Sequence, residues 1–265
     1  MMKFRLENDQ SEPVITAFKN INDEYHEREW VKLPEIAVIY CFGYGMEALK
    51  QNYETEVLCS KLPRFLSGTE VLTIKQYPHI CFVHGGAGAP KMADTVETLI
   101  TLGVKKMYLF GLCGSFVDTT KIGDVIVVEE GKIEEGTSFH YVKETDFVSP
   151  IHHECQKSYE LLKQDHRVRL SKIVSCDAIY RQTFNKEAYW RSLGLVGVDM
   201  ETTTFYTVNN YYNIPCIAIM MVSDLHPLNQ NQDWQFGDND FKNKRINFCK
   251  TSVQLVVALN SYKAK

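Results

Sequence analysis

Short runs of apolar residues recur along this chain, and helical patterns lie between them. The clearest runs cover residues 35–42, 79–84, 105–113 and 214–223. A strand that is apolar at consecutive positions is buried on both faces, as in sheets that helices cover on each side. The alternation therefore predicts an α/β fold, with one domain built on a mixed central sheet flanked by helices.

The remaining elements follow from the same patterns. Two more strands are expected at residues 124–130 and 168–176. Ligands on buried sheets of this kind bind at the carboxyl ends of the strands, so a site is expected in the loops that follow them. A short helix is expected from Met46, and a second one follows the strand at residues 79–84 and its glycine-containing loop and ends at about Leu102. Further helices are expected near 151–164, near 185–193, from Glu201 to about Tyr212 and from Phe241 to about Tyr262.

Charge and hydropathy narrow the class of partner. The 265 residues carry a formal net charge of −4 and contain no long Lys/Arg block, so no nucleic-acid partner is expected. The longest apolar stretch of the C-terminal half, residues 214–222, is far too short to span a bilayer, and no membrane partner is expected. The first residues are polar and acidic, unlike those of a signal peptide.

The 8 cysteines and the histidines show no metal or disulfide pattern. No CxxC pair occurs, and several cysteines lie in apolar runs where Cys behaves as a small hydrophobe, so a reduced, cytoplasmic setting is expected. His152 and His153 stand beside Glu154 and Cys155 on a polar helical stretch, but their spacing does not suit a metal ion. No metal site is expected.

A glycine-rich turn, HGGAGAPK at residues 84–91, connects a predicted strand to a predicted helix. It is not a dinucleotide fingerprint, because Lys91 stands where the third glycine belongs, and it lacks the Gly-Lys-Ser/Thr of a P-loop. A second glycine turn, FGLCGS at residues 110–115, follows the next strand. Two such turns at adjacent strand ends indicate a ligand that the backbone approaches closely; the alternative is two ordinary turns.

Carboxylates follow two other strands. Asp199 and Glu201 flank Met200 where a strand runs into a helix, and the helix N-terminus is expected to keep Glu201 ionised. This pattern suits a sugar, with Glu201 on the hydroxyls and Met200 on the ring face; the alternative is a capping acid beside a core methionine. Asp224, in the segment SDLHP, is placed to act as a general acid or, alternatively, to form a turn.

Together these motifs resemble the nucleoside phosphorylase family, which includes purine nucleoside phosphorylases, uridine phosphorylases and related nucleosidases. The resemblance runs from about Glu35 to the C-terminal helix, and the order and spacing of the motifs carry it. It implies a barrel-like distortion of the sheet in a domain at residues 35–265, with residues 1–34 as an N-terminal extension. The segments that carry it are GAGAPKMADTVETLITLGVKKMYLFGLCGSF, KIGDVIVVEEGKIEEGTSFHY, SCDAIYR, VDMETTTFY and SDLHP.

The resemblance assigns roles to the motif residues. Glu201 would bind the ribose hydroxyls while Met200 packs on the sugar. Ile179 and Tyr180 would line the base. Asp224 would protonate the purine at N7, which makes the base a better leaving group. The nucleoside site would also include Cys113, Gly114 and Ser223.

The same resemblance favours a purine base. Uridine-specific members lack an Asp at the position of Asp224. The Gln and Arg with which those members recognise uracil would fall near Thr183 and Asn185, where neither occurs. A purine nucleoside is therefore the expected substrate.

The phosphate site departs from the family pattern. Two arginines and a Ser or Thr that hold phosphate in the family are matched here by Glu47, Leu109 and Leu112. At about 4 Å and an effective dielectric of about 20, the repulsion between a carboxylate and one phosphate charge is roughly 4 kcal/mol. The groups left to hold an anion are Gly43, Gly86, Lys91 and Arg64.

Three functions remain open. The first is phosphorolysis of a nucleoside, with no cofactor and with phosphate as a co-substrate held by Lys91 and backbone N–H groups. The second is hydrolysis, in which Glu47 activates a water molecule as a Glu does in the related nucleosidases. The third is a binding or assembly protein that has kept the fold without catalysis. The family resemblance favours the first.

The resemblance also implies a homo-oligomer, a dimer or a hexamer, because the family completes its sites with residues from a neighbouring subunit. His26 is the candidate to reach the 5′ end of the ribose. Arg64 or Lys61 is the candidate for the phosphate arginine that a neighbour supplies. A monomer would leave the site open.

Overall fold

The computed structural model describes residue 9 and residues 11–24, 31–143, 145–151 and 154–261. The helices in this part of the chain are α1 Ala17–Glu24, α2 Gly45–Asn52, α3 Ala89–Thr101, α4 Cys155–Leu162, α5 Phe184–Ser192, α6 Thr202–Tyr211 and α7 Phe241–Asn260. The strands are β1 Ile36–Cys41, β2 Thr55–Cys59, β3 Val71–Ile74, β4 Tyr77–His84, β5 Lys106–Ser115, β6 Val125–Glu134, β7 Phe147–Val148, β8 Val168–Cys176, β9 Leu195–Asp199, β10 Cys216–Leu225 and β11 Gln235–Phe236.

Four parallel strands form the centre of the sheet, in the order β4, β1, β5 and β10. Beyond β10 the sheet continues through β6, β8 and β9, and β9 pairs with β5 in antiparallel fashion, so that five strands close into a ring. On the other side, β3 and β2 extend the sheet beyond β4. The predicted α/β fold with a mixed, barrel-like sheet is confirmed.

Both faces of the central strands are buried, which explains their continuous apolar sequence. In β5, Met107 and Leu109 belong to the apolar core that includes residues of α3 and α6. Tyr108 and Phe110 belong to the opposite core, which includes residues of α2, α4 and α7. Since burial of a large apolar side chain contributes about 1.5–3 kcal/mol, such strands hold the two helical layers together.

The strands that sequence reasoning missed are short or lie at the edge of the sheet. β2 is the outermost strand beside β3, and most of its residues are half-buried or exposed. β7 and β11 contain 2 residues each. Such segments carry too short or too mixed a pattern of apolar residues to be recognised in the sequence.

The helix α1 packs on the domain although it precedes the predicted boundary at residue 35. Ile21 is buried and belongs to the same apolar core as Leu99 of α3. Asn20 Nδ2 donates to the carbonyl oxygen of Pro63 at 3.1 Å. This helix is therefore part of the packed structure.

Candidate active site

The loop that leads from β9 into α6 holds the carboxylate predicted to bind a sugar. Glu201 directly precedes the first turn of α6 and is 8% exposed. The backbone N–H of Gly88, in the glycine-rich turn between β4 and α3, donates to Glu201 Oε1 at 2.5 Å. Met200 is half-buried beside Glu201 in the chain. The glycine-rich turn and the predicted sugar carboxylate therefore meet in the structure.

Burial changes the charge state of Glu201. Removal from water and the negative charge of Asp199 raise the pKa of the Glu201 carboxyl to about 8, against a smaller opposing effect of the Gly88 N–H. The expectation that the helix N-terminus keeps this carboxyl ionised is wrong for the unliganded chain, since burial beside a second carboxylate outweighs the helix dipole. A ligand whose hydroxyls donate to Glu201 would restore the charge.

Asp199 anchors the beginning of α6. Its Oδ2 accepts from the Thr202 N–H at 2.9 Å and from the Thr202 hydroxyl at 2.5 Å. Its Oδ1 accepts from Ser175 Oγ at 2.5 Å, which connects α6 to β8. Asp199 thus connects the beginning of α6, beside Glu201, to β8.

Asp224 lies in β10 near its carboxyl end, and several donors surround its carboxylate. Its Oδ1 accepts from Ser223 Oγ at 2.5 Å. Its Oδ2 accepts from Trp234 Nε1 at 2.8 Å and lies 3.0 Å from His226 Nε2. Burial alone would raise the pKa of Asp224, but these hydrogen bonds lower it below its ordinary value. An aspartate held in this way is ionised and needs a proton from elsewhere to act as an acid.

His226 connects Asp224 to a second buried carboxylate. Its Nδ1 lies 2.7 Å from Oε1 of Glu187 in α5. Burial lowers the pKa of His226, but hydrogen bonds to Asp224 and Glu187 and their negative charges raise it to about 9. Gly114 makes room for this arrangement, because a Cβ there would lie 2.4 Å from His226 Nε2 and 2.9 Å from Asp224 Oδ2.

Lys91 lies across the glycine-rich turn. Gly86 has a φ of 88°, in the left-handed region, and a Cβ there would lie 2.3 Å from Lys91 Cδ and 2.9 Å from Lys91 Nζ. Within the described part of the chain, the Lys91 ammonium has no hydrogen-bond partner. Two groups predicted to hold an anion, Gly86 and Lys91, are therefore adjacent in space.

The pKa of His84, at the carboxyl end of β4, responds to the charged side chains around it. Burial and the positive charges of Arg64 and Lys91 lower the pKa of His84, while Glu47 acts in the opposite direction. Glu47 is exposed in the first turn of α2. This corner of the site therefore combines two cations, a neutral imidazole and one solvated carboxylate.

Arg64 is buried and makes its contacts within its own chain. Its Nη1 lies 3.0 Å from the carbonyl oxygens of His84 and Gly85 and 2.6 Å from Thr95 Oγ1. Its Nε donates to the carbonyl oxygen of Ser67. These contacts join the loop after β2 to the glycine-rich turn.

The loop after β1 brings in a cation that sequence reasoning missed. Gly43 is exposed, and Tyr44 next to it has a φ of 76°, which is uncommon for a residue with a side chain. Arg245 of α7 has its Cζ 5.1 Å from the centre of the Tyr44 ring. A Cβ at Gly43 would lie 3.9 Å from Arg245 Nη1. Arg245 thus lies beside the loop predicted to approach an anion.

Leu109 and Leu112 occupy apolar surroundings. Leu109 is fully buried between β1 and β10, where its neighbours in register are Ile39 and Ala218. Leu112 is half-buried and packs against the core beneath α7. Neither position presents a charge or a hydroxyl to the strand ends.

Cys113 lies in β5, within reach of the charges of Asp199 and Asp224. Its carbonyl oxygen is 3.2 Å from Ser223 Oγ. Burial and the charges of Asp199 and Asp224 raise the pKa of its thiol, so the thiol stays protonated and is a poor nucleophile, and its place in the nucleoside site stays a prediction.

The segment predicted to line the base does not join the other residues. Ile179 and Tyr180 lie on a 3-10 turn, Ile179–Arg181, and are 53% and 96% exposed. Asp177, at the start of this segment, accepts from the Gly136 N–H at 3.0 Å. His26 lies outside the described residues. The roles of Ile179, Tyr180 and His26 stay predictions.

Within the ranges that the structure describes, no group of three or more His, Cys, Asp or Glu side chains could hold a metal ion. No helix in the same ranges is both long and apolar enough to cross a membrane. His152 and His153 lie outside them.

Residues 35–260 match the model of the phosphorylase superfamily. The chain belongs to this family. It is 30% identical over 148 residues to the purine nucleoside phosphorylase DeoD-type of Clostridium novyi (strain NT), and 26% identical over 142 residues to that of Bacillus cereus (strain ZK / E33L). The matched segments make up 52% of this chain and 61% and 60% of the two relatives, so the chain spans about three fifths of their length.

Solved structures of the superfamily share the fold. A purine nucleoside phosphorylase from Toxoplasma gondii, in complex with immucillin-H, is similar with a TM-score of 0.73 at 20% identity, covering 86% of this chain and 92% of that one. A uridine phosphorylase from Vibrio fischeri ES114, complexed with 6-hydroxy-1-naphthoic acid, gives a TM-score of 0.70 at 20% identity, covering 86% and 93%.

Several residues of the site were not singled out in the sequence. Glu187, Trp234 and Arg245 come from α5, the segment before β11, and α7, and no motif marks them. His226 stands in the SDLHP motif, where Pro227 and Asp224 gave the segment the appearance of a turn. The only available signal was a His two residues from an Asp at a strand end.

Proposed function

We propose that this protein cleaves the N-glycosidic bond of a purine nucleoside and transfers the sugar to phosphate. The family, and relatives that are purine nucleoside phosphorylases, support this reaction class. The observation that carries the proposal is the hydrogen bond from the Gly88 N–H to Glu201, because it brings the turn that bears Lys91 against the carboxylate proposed for the sugar.

The sugar end of the reaction rests on Glu201 and Met200. Ribose hydroxyls donate to Glu201, which becomes ionised on binding because hydrogen bonds to the charged form lower its pKa. A carboxylate beside the sugar also stabilises the oxocarbenium-like charge that develops as the bond to the base stretches. Asp224 delivers a proton to N7 of the leaving purine.

Lys91 is the side chain proposed to bind the phosphate anion. Its ammonium lies on Gly86 without a hydrogen-bond partner in the described ranges, which leaves its donors available for phosphate. Backbone N–H groups of the glycine-rich turn add further donors at the start of α3, where the helix dipole favours an anion. Glu47 opposes the anion, but its exposure to water weakens that repulsion.

Hydrolysis is the second candidate. Glu47 is exposed to solvent and its charge acts on His84, which suits a carboxylate that activates a water molecule for attack on the sugar. The buried Leu109, in place of an arginine, supports the same alternative. In this version Lys91 has no role in catalysis.

Product analysis separates the functions. Inosine, adenosine and methylthioadenosine are each incubated with the protein, with and without phosphate. Phosphorolysis predicts a sugar 1-phosphate and saturable dependence on phosphate. Free sugar without phosphate dependence supports hydrolysis, and binding without turnover supports a non-catalytic protein.

Two substitutions assign the nucleophile. Lys91→Met should raise the KM for phosphate at least about 10-fold, because a charged hydrogen bond contributes about 1.5–3 kcal/mol. Glu47→Gln should leave turnover intact and tighten phosphate, whereas hydrolysis predicts a large loss. The matched control is Lys143→Met, which removes an exposed ammonium from the loop after the 3-10 turn at Ser138–His140.

The proposal includes a homo-oligomer in a reducing compartment. Val14, Ile15, Phe65 and Leu66 are exposed, and Ile15 and Phe65 line one cleft, which suits contact with a second copy of the chain. All 8 cysteines are free, as in cytoplasmic proteins. Sedimentation at micromolar concentration tests the assembly, and a monomer would count against it.

A further inference from the structure

His226 lies between two acidic groups that belong to different elements. Asp224 is in β10 and Glu187 is in α5, and each meets one ring nitrogen of the histidine. The side chains of Asp224 and Glu187 are 12% and 7% exposed, and that of His226 is 13% exposed. Both ring nitrogens can therefore donate only in the imidazolium form, which satisfies both carboxylates at once.

Among the described residues, the other side chains around His226 and Asp224 do not supply a proton in place of the imidazolium. Phe116 has its ring centre 6.5 Å from that of His226 and carries no charge. Trp234 donates to the same oxygen of Asp224, but its indole N–H is too weak an acid to transfer its proton. Arg191 is engaged elsewhere, since its Nη1 lies 4.0 Å from Glu187 Oε2 and donates to the Phe116 carbonyl oxygen.

We propose that His226, held by Glu187, supplies the proton that Asp224 passes to the leaving purine. This inference rests on the proposed function and adds a residue pair to it. Asp224, surrounded by donors, is ionised in the resting protein and holds no proton for N7. The positively charged His226 stores that proton 3.0 Å away, and Glu187 keeps it there between turnovers.

The step balances within the three side chains. As the bond between C1′ and N9 breaks, its electron pair moves into the purine. The proton on His226 Nε2 moves to the Asp224 carboxylate, and Asp224 passes a proton to N7, which leaves a neutral imidazole whose Nδ1–H still faces Glu187. After the base departs, His226 regains a proton from water. Loss of the contact between Glu187 and His226 should therefore reduce kcat/KM more for purines that need a proton at N7 than for purines that do not.

The test compares two substrates over a range of pH. Inosine needs a proton at N7, whereas 7-methylguanosine already carries a positive imidazole ring and does not. Wild type should lose kcat/KM for inosine as the pH rises through about 9, because His226 loses its proton there. Glu187→Gln should move this alkaline limb to lower pH. His226→Gln should reduce kcat/KM for inosine roughly 100-fold or more, and that for 7-methylguanosine less than 10-fold.

The control is His79→Gln, which changes an exposed histidine of β4 and should leave both profiles unchanged. Equal losses on the two substrates, or an alkaline limb that Glu187→Gln does not move, would overturn the relay. Turnover by wild type together with unaffected variants would overturn the relay alone. No turnover of either substrate by wild type would overturn the proposed function as well.

A measurement without turnover gives an independent test. Nitrogen NMR of the histidine side chains should show His226 protonated on both ring nitrogens at pH 8 in wild type and neutral in Glu187→Gln. A neutral His226 in wild type at that pH would overturn the proposal even if the substituted proteins fold poorly.

Discussion

The backbone N–H of Gly88 and the Oε1 of Glu201 are 113 residues apart in sequence and 2.5 Å apart in the structure. The contact joins the beginning of α3 to the beginning of α6, two helices that also pack against each other. Because a glycine supplies the donor, no side chain separates the backbone from the carboxylate. The same contact sets the distance between the proposed sugar and phosphate ends of the site.

Replacing Glu201 tests the sugar end. Glu201→Gln should keep the fold and lower kcat/KM for the best nucleoside by roughly 10- to 200-fold, since a hydrogen bond to a charged group contributes about 1.5–3 kcal/mol. Steady-state kinetics measures the loss. Glu160→Gln changes an exposed acid of α4 and should have no effect. Full turnover by Glu201→Gln would remove Glu201 from the sugar site.

The raised pKa of Glu201 predicts how stability depends on pH. The Glu201 carboxyl has a pKa of about 8 in the folded protein and an ordinary value of 4.5. Between these pH values the unfolded chain loses this proton more readily than the folded one, so the free energy of unfolding falls as the pH rises. The slope is at most about 1.4 kcal/mol per pH unit. Glu201→Gln should therefore gain stability relative to wild type from pH 5 to pH 8 and then level off.

Denaturant unfolding of both proteins at several pH values measures this difference. A constant difference in the free energy of unfolding across the range would show that Glu201 ionises normally in the unliganded protein. Saturating nucleoside should reduce the difference, since the bound hydroxyls favour the ionised form.

The central fold was predictable because β1, β4, β5 and β10 are buried on both faces and leave continuous apolar runs. The position of Asp224 followed from the same reasoning, since it lies at the end of β10, and that of Glu201 followed from its place where a strand runs into a helix. Their charge states did not follow. The pKa of Glu201 depends on Asp199 and on burial, and neither effect can be read from spacing along the chain.

The partners of Asp224 were hidden for a similar reason. Glu187 is 39 residues from His226 in sequence, on a helix with no motif, and the two meet only because α5 packs beside β9. The exposure of Tyr180 could not be foreseen either, because a Tyr in a loop carries no periodic pattern that distinguishes a buried position from an exposed one.

Gly114 offers a steric test of the acid end. In Gly114→Ala the new Cβ would meet His226 Nε2 and Asp224 Oδ2 at 2.4 and 2.9 Å, so the two side chains must move apart. We expect kcat/KM for inosine to fall at least about 10-fold, with a smaller loss for 7-methylguanosine. Kinetics on both substrates measures this.

The matched control is Gly194→Ala. Gly194 has a φ of 80° and no atom within 4 Å of an added Cβ, so the change strains the backbone without a clash. It should cost roughly 1 kcal/mol of stability and leave activity unchanged. If Gly114→Ala behaves like this control, Gly114 does not shape the site.

Substitution of Arg64 distinguishes a structural role of its guanidinium from a role in phosphate binding. Its guanidinium already contacts two carbonyl oxygens and the Thr95 hydroxyl, and loss of these contacts leaves buried acceptors without a donor. Arg64→Met should therefore lower the free energy of unfolding by about 2–4 kcal/mol. Lys91→Met, on a half-buried side chain without a hydrogen-bond partner in the described ranges, should change it by less than about 1 kcal/mol.

Phosphate dependence completes the comparison of the two variants. Arg64→Met should retain nearly the wild-type KM for phosphate at temperatures where it is folded, whereas Lys91→Met should raise it. Denaturant unfolding and phosphate titrations on the same preparations measure both quantities. The opposite result, a stable Arg64→Met protein with weak phosphate binding, would show that the guanidinium holds the anion and that Lys91 does not.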